Sequence, residues 1–208
     1  SLADAERITP AWRDFVLQAP DDITSTLVYW SMPSLPGFPE ALHGTPIVGV
    51  FGLYAGDATE GETALQPLRE FATPLLDLSG RTDYLSVQNT WDVFFPTTLR
   101  YYWKSIFLDE LGEADIAQAI ALAEDKPTPE TLFALRHLGG AYGRTPDDAT
   151  AFGNRRSPFN LSIDTTWSDP ADDERMIGWT REAWQAVRDR TGGGVYLNFA
   201  GLGEDNEL

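Results

Sequence analysis

The sequence predicts an α+β domain, with a mainly antiparallel sheet of about six strands and helices packed on one face. Three observations predict it. Strand-like runs with period-two alternation recur along the chain, as in Phe159–Trp167. Some of these runs follow one another with no helical segment between them, which favours antiparallel pairing. The helical segments are amphipathic, so each has one face to bury against a common sheet.

The elements follow in order. Ile8, Trp12, Phe15, Val16 and Ala19 recur at helical spacing, with Thr9-Pro10 as a cap and first turn. Ile23 to Met32 is rich in Thr, Val, Tyr and Trp and reads as a strand. After a Pro-rich loop, Pro46 to Tyr54 is nearly all apolar and reads as a central strand. Thr59 and Glu62 form a capping box ahead of a helix carrying Leu65, Leu68 and Phe71. Leu85 to Phe95 reads as a short helix, and the aromatic run Leu99 to Leu108 as a strand.

Glu113 to Ala123 is helical, with Ile116, Ile120 and Ala123 aligned, and Thr131 to Leu138 is a strand that ends in Gly139-Gly140. Phe159 to Trp167 alternates cleanly. Ser168 or Asp169 then caps a long helix with Pro170 in its first turn and Met176, Ile177, Thr180, Trp184 and Val187 as its buried stripe. Gly192-Gly193-Gly194 releases a last strand, Val195 to Phe199, and the acidic tail from Gly203 to Leu208 reads as frayed.

Composition narrows the function. With 208 residues, 42% hydrophobic and seven Trp, the chain has the material for one large domain spanning 1–208. No apolar run approaches the roughly 18 residues of a membrane helix. The first residues lack the basic and apolar regions of a signal peptide, so a cytoplasmic location is expected. Without cysteine there is no disulfide, thiol nucleophile or cysteinyl cofactor link. His43 and His137 stand far apart, and no metal site is expected. A net charge of −17 repels phosphate backbones, which argues against a nucleic-acid partner. The glycines after Pro46 lack dinucleotide-fingerprint spacing, and there is no G-x-S-x-G elbow.

The polar faces of the strands are the informative feature. One face of Phe159–Trp167 carries Asn160, Ser162, Asp164 and Thr166. Tyr196 and Asn198 share a face of the last strand, Arg100, Tyr102 and Lys104 share another, and Arg136 lies between the inward-looking Leu135 and His137. Two readings stay open: a sheet with its second face in water, or a face that meets a ligand or partner domain.

The run G-G-A-Y-G-R-T-P-D-D-A-T-A-F, from Gly139 to Phe152, is similar to a family pattern G-G-x-x-x-x-x-P-x-x-A-T-A-F. Downstream come the strand ending in Trp167, Asp169-Pro170-Ala171, a Trp-bearing helix and Gly194-Val195-Tyr196-Leu197-Asn198-Phe199. Tyr54-Ala55-Gly56-Asp57 and Tyr101-Tyr102-Trp103-Lys104-Ser105 match upstream. Together these resemble the substrate-binding, C-terminal domain of the berberine bridge enzyme-like FAD-linked oxidases, of bacterial or archaeal type. The resemblance covers nearly the whole chain.

The resemblance implies a FAD-dependent oxidoreductase that oxidises an alcohol or amine carbon by hydride transfer to flavin, with oxygen as acceptor. It implies that FAD is held mainly by a separate FAD-binding domain outside this chain, that a C-terminal return segment is also absent, and that the isolated chain is inactive. The partners implied are that domain and a small-molecule substrate. Tyr196 falls on the family's active-site tyrosine. Because a phenol ionises near pH ~10 in water, a base role needs a nearby cation, and Arg136 and Lys104 are the candidates. Ser162 falls where relatives carry a substrate-facing polar or acidic residue; serine is a poor base, which leaves Asn160 or Asp164 on the same face as substitutes. Asn160, Ser162, Asp164, Arg136, Lys104 and Asn198 are thus expected to line the substrate pocket, on a face left exposed or covered by a second copy. The alternative is a stand-alone small-ligand-binding or dimerising protein without catalysis.

Overall fold

The computed structural model describes residues 1–191, 194–199 and 201. A short 3-10 turn leads into α1 (Ala5–Val16), which buries Ile8, Thr9, Trp12 and Val16. This helix starts upstream of the expected cap, and Pro10 lies inside it. β1 (Ile23–Ser31) and β2 (Pro46–Tyr54) form a hairpin. α2 (Ala58–Ala64) is capped by Asp57, whose carboxylate accepts from the Thr59 and Glu60 amides, and not by the Thr59–Glu62 box. α3 (Gln66–Glu70), α4 (Tyr84–Asn89) and a 3-10 turn at Asp92–Phe94 lead to β3 (Arg100–Leu108). Then come α5 (Glu113–Glu124), β4 (Leu132–His137), α6 (Ala141–Arg144), β5 (Phe159–Trp167) and α7 (Asp173–Thr191).

The architecture is α+β, as the alternation predicts. Five strands make one sheet in the order β2-β1-β4-β5-β3, with every neighbouring pair antiparallel. β2, expected at the centre, forms an edge; its apolar residues are largely half-buried. The α2–α3 segment lies against it, and Leu68 of α3 packs close enough to Gly52 that a Cβ there would fall 2.5 Å from its Cδ1.

α1, α5 and α7 cover one face. Because side chains alternate across a strand, that face collects Leu27 and Tyr29 of β1, Phe133 and Leu135 of β4, Phe159, Leu161 and Ile163 of β5, and Ile106 and Leu108 of β3. Its buried polar groups are paired. Trp12 Nε1 donates to Ser25 Oγ at 2.9 Å, Trp184 Nε1 donates to the Ser105 carbonyl at 2.9 Å, and the Thr180 hydroxyl donates to Thr165 at 2.6 Å. The start of α7 is fastened to the sheet by a clasp. The Arg100 guanidinium donates twice to Asp173, at 2.5 Å each, and Trp167 Nε1 donates to the same carboxylate at 2.8 Å. Hydrogen bonding from Arg100 holds the Asp173 carboxyl below its usual range.

The expected sixth strand, Val195 to Phe199, does not form. Gly194–Tyr196 is irregular and Leu197–Phe199 is a 3-10 turn. In a strand, Tyr196 and Phe199 would point to opposite faces. Here the two rings lie 5.5 Å apart and turn onto the same surface, so the spacing of the large rings is three, not two. One backbone bond, from the Phe107 amide to the Gly194 carbonyl at 2.8 Å, joins this segment to the edge of β3. Gly192-Gly193 and the acidic tail from Gly203 to Leu208 lie outside the described residues.

Trp184 is 1% exposed and ties α7 to β3. Trp184→Ala is expected to lower unfolding free energy by about 3–5 kcal/mol, as burial loss and a cavity add. Urea unfolding of the 208-residue chain measures this; a loss below about 1 kcal/mol contradicts the packing described.

Candidate functional site

The sheet face turned away from α1, α5 and α7 carries a grid of side chains fixed by register. Arg136, Asn160 and Phe107 form one row across β4, β5 and β3. Ala134, Ser162 and Ser105 form the next, and Leu132, Asp164 and Trp103 the third; Thr166 pairs with Tyr101 beyond them. Cross-strand neighbours of this kind stand roughly 4.5–5.5 Å apart at Cβ. Asn160, Ser162, Asp164 and Arg136, expected to line one surface, are therefore brought together.

Lys104 is not. It pairs with Ile163 in register and so points to the helix-covered face, wholly buried, with Nζ 4.1 Å from the Trp184 ring centroid. Alternation along β3 correctly separates Lys104 from Trp103 and Ser105, but only the register says which of the two sets meets the polar side of β5. Lys104 is thus removed from the polar face of the sheet, where the odd-numbered residues of β3 stand instead.

The polar row is not open to water either. Asn160, Ser162, Asp164 and Thr166 are all buried. The chain's own aromatic rings cover this face, against the expectation of an exposed surface. Trp91, Phe94 and Phe95 pack against Val28, Trp30, Leu132 and Ala134. Phe95 lies 5.2 Å from Trp103, Trp103 lies 5.5 Å from Phe199, and Phe199 stacks beneath the Arg136 guanidinium at 5.3 Å. Tyr196 packs against Phe107, Phe152 and Phe199 at 6.2, 5.8 and 5.5 Å. Its hydroxyl accepts a hydrogen bond from Asn198 Nδ2 at 2.8 Å. Tyr196 is half-buried and Asn198 exposed.

Phe152 reaches Tyr196 because the Gly139-Gly140 turn directs the chain away from β4. Gly140 has φ +61°, and a Cβ on Gly139 would fall 2.2 Å from the His137 ring. The double glycine of the sequence motif is required on both counts.

Within the row, Arg136 is the organising cation. Its Nη1 donates to Ser162 Oγ at 2.7 Å, and Nη2 lies 3.7 Å from Asp164 Oδ2. Asn160 Nδ2 donates to the Ile106 carbonyl at 3.2 Å. Burial pushes the Asp164 carboxyl up to about 6, against the opposing pull of Arg136 and Ser162. A carboxyl of that kind can exchange a proton near neutral pH, and Ser162 alone cannot. The residues that sequence reasoning missed are Trp103, Ser105, Phe152 and Phe199. Among the described residues no group of three or more His, Asp or Glu could hold a metal, and no helix is long and apolar enough to cross a membrane.

Fold and surface together define the class: an α+β sheet domain with a buried polar row under aromatic cover. No protein-family model matches the chain. A FAD-linked oxidoreductase of Dictyostelium discoideum is 28% identical over 138 residues, covering 65% of this chain and 30% of the relative. An uncharacterized FAD-linked oxidoreductase of Bacillus subtilis is 23% identical over 198 residues, covering 94% of this chain and 41% of the relative. Among solved structures, a variant of the BBE-like 1 protein of Physcomitrella patens superposes with a TM-score of 0.75 at 18% identity, over 96% of this chain and 44% of that one. The chain spans less than half the length of each of these. The fold is thus shared with BBE-like structures, and the sequence is similar to FAD-linked oxidoreductases.

The raised Asp164 pKa has a signed consequence for stability. A carboxyl near 3.8 when unfolded and about 6 when folded favours the folded state most below pH ~4, and that contribution is lost as pH rises through about 6. Asp164→Asn carries no such charge. The variant should gain on the wild type by up to roughly 3 kcal/mol between pH ~4 and ~7. Urea unfolding of both proteins across this range measures it, and a pH-independent difference contradicts it.

Proposed function

We propose that this chain is the substrate-binding domain of a FAD-dependent oxidoreductase that oxidises an alcohol or amine carbon by hydride transfer to flavin, with oxygen as final acceptor. The observation that carries the reading is the packing of Tyr196, bonded by Asn198, against Phe107 at one end of the buried polar row, on the sheet face turned away from α1, α5 and α7. The FAD-linked oxidoreductases similar to this chain support it.

The fit to the cofactor is partial. An acidic chain of net charge −17, without a Gly-rich phosphate loop, is poorly suited to a diphosphate. Its rings and buried hydrogen-bonding groups suit instead a substrate held against a flat ring system. FAD is then held mainly by a separate flavin-binding domain, the partner this face would meet. Once bound, the flavin supplies the hydride acceptor.

The chain's own residues do the rest. Tyr196 Oη serves as acid/base or hydrogen-bond donor to the substrate hydroxyl or amine, and Asn198 fixes the phenol's orientation. Arg136, Ser162 and Asn160 line the pocket and hold the substrate's polar groups. Phe152, Phe199 and Trp103 exclude water, which strengthens each of these contacts. By this reading the 208-residue chain alone is inactive.

The test compares this chain with a longer product of its gene. The longer protein should be yellow and the 208-residue chain colourless. In the longer protein Tyr196→Phe should slow anaerobic flavin reduction by about 10²–10⁴-fold with flavin content unchanged. A colourless longer product, or undiminished reduction by Tyr196→Phe, overturns the reading and favours a stand-alone ligand-binding protein.

A further inference from the structure

A large apolar side chain exposed singly needs no explanation, but several on one segment mark a contact surface. Among the described residues eight large hydrophobics are exposed, and five of them fall within residues 75–93: Leu75, Leu78, Tyr84, Leu85 and Val93. Leu78, Tyr84 and Leu85 are 68%, 73% and 69% exposed. From residue 73 to residue 90 no side chain is buried, and only Leu76 and Val87 are half-buried. This stretch includes α4, a helix of six residues. Helices shorter than about 12 residues are marginal in water on their own, and packing of an apolar face supplies most helical stability. Nothing in α4 is buried by the rest of the described chain.

The segment is fastened to the domain by polar contacts. Arg69 donates to Asp77 from Nε at 2.8 Å and from Nη2 at 2.5 Å, and Arg81 Nε donates to Glu62 at 2.9 Å. Exposed ion pairs add little stability. They fix where the strap runs and leave its apolar side chains in water. Beyond the strap, Trp91 lies 4.7 Å from Phe51 and packs over the sheet. The exposed ridge therefore adjoins the sheet face turned away from α1, α5 and α7.

Charge decides between the occupants that could cover it. Residues 58–95 carry the carboxylates of Glu60, Glu62, Glu70, Asp77, Asp83 and Asp92 against Arg69 and Arg81, and both arginines are already paired. Two copies of this surface would repel each other, as would two chains of net charge −17. An apolar surface with a basic rim fits instead. A source for it follows from the relatives, of which this chain covers 30%, 41% and 44%, so that more than half of each lies outside it.

We propose that Leu75, Leu78, Tyr84, Leu85 and Val93 form the docking surface for the neighbouring domain of the longer polypeptide. This rests on the reading above, by which that domain is the flavin-binding one. Docking takes the five side chains out of water and gives α4 the packed face that it lacks within this chain.

The test compares amide hydrogen exchange over residues 75–93, read by mass spectrometry, in the 208-residue chain and in the longer gene product. Exchange in the longer protein should be at least about tenfold slower. The triple variant Leu78→Ser, Tyr84→Ser, Leu85→Ser should return it to the rate of the 208-residue chain. Because these side chains are exposed, the same changes should leave the urea midpoint of the 208-residue chain where it was, which shows that the variant folds.

Equal exchange in the two proteins overturns the proposal. So does protection within the 208-residue chain that grows with its concentration, which makes a second copy the occupant. A yellow longer product with fast exchange sinks the docking surface and leaves the oxidase. A colourless one with slow exchange that the triple variant abolishes keeps the docking surface and sinks the flavin reading.

Discussion

β5 is buried at every one of its nine residues, between β4 on one side and β3 on the other. A strand so placed must satisfy both of its faces without help from solvent, and the two faces do so in different ways. Phe159, Leu161 and Ile163 join the helix-covered core, where area removed from water is the main gain. Asn160, Ser162, Asp164 and Thr166 are held under rings on the other face. The position of each site residue follows from this strand, because its register with β3 and β4 decides which neighbours the polar row meets.

The polar row is held by Arg136 more than by the backbone. One guanidinium bonds Ser162, faces Asp164 and lies over Phe199, so the cation joins the two sides of the site. Removing it would leave Asp164 buried without a counter-charge, a heavier loss than any single contact suggests. The core face is different in kind. There each polar group has a local partner, as Trp12 with Ser25 and Thr180 with Thr165.

Much of the fold was legible in the sequence. The alternation in Phe159–Trp167 and the stripe of Met176, Thr180, Trp184 and Val187 both reflect burial on a fixed period; β5 formed as read, while α7 begins at Asp173 after a 3-10 turn that Asp169 caps, with Ile177 only half-buried. The failures have physical reasons. Val195–Phe199 offers too few residues to separate period two from the spacing of three that its rings adopt. Lys104 misled because a lysine in a strand is expected to face water, whereas here its apolar stem and ammonium lie over Trp184. Trp103 and Ser105 were visible as one face of β3, but pairing partners are set by long-range register, which a single sequence does not encode locally. Aromatic cover over the polar row comes from segments far apart in the chain, and nothing in their spacing announces it.

The clasp on Asp173 bears on how this domain tolerates change in length. Trp167 and Arg100 sit at the paired ends of β5 and β3 and both grip the first turn of α7, so residues 168–172 span a fixed gap. One residue added there would turn the helix by about 100° before it docked, carrying Trp184 away from the Ser105 carbonyl. Among the described residues, 33–45 makes no comparable grip on a helix, whereas 73–83 is tied to α3 by Asp77 with Arg69 and to α2 by Arg81 with Glu62. Insertions and deletions among relatives should gather in 33–45, while the link between Trp167 and Asp173 keeps its length.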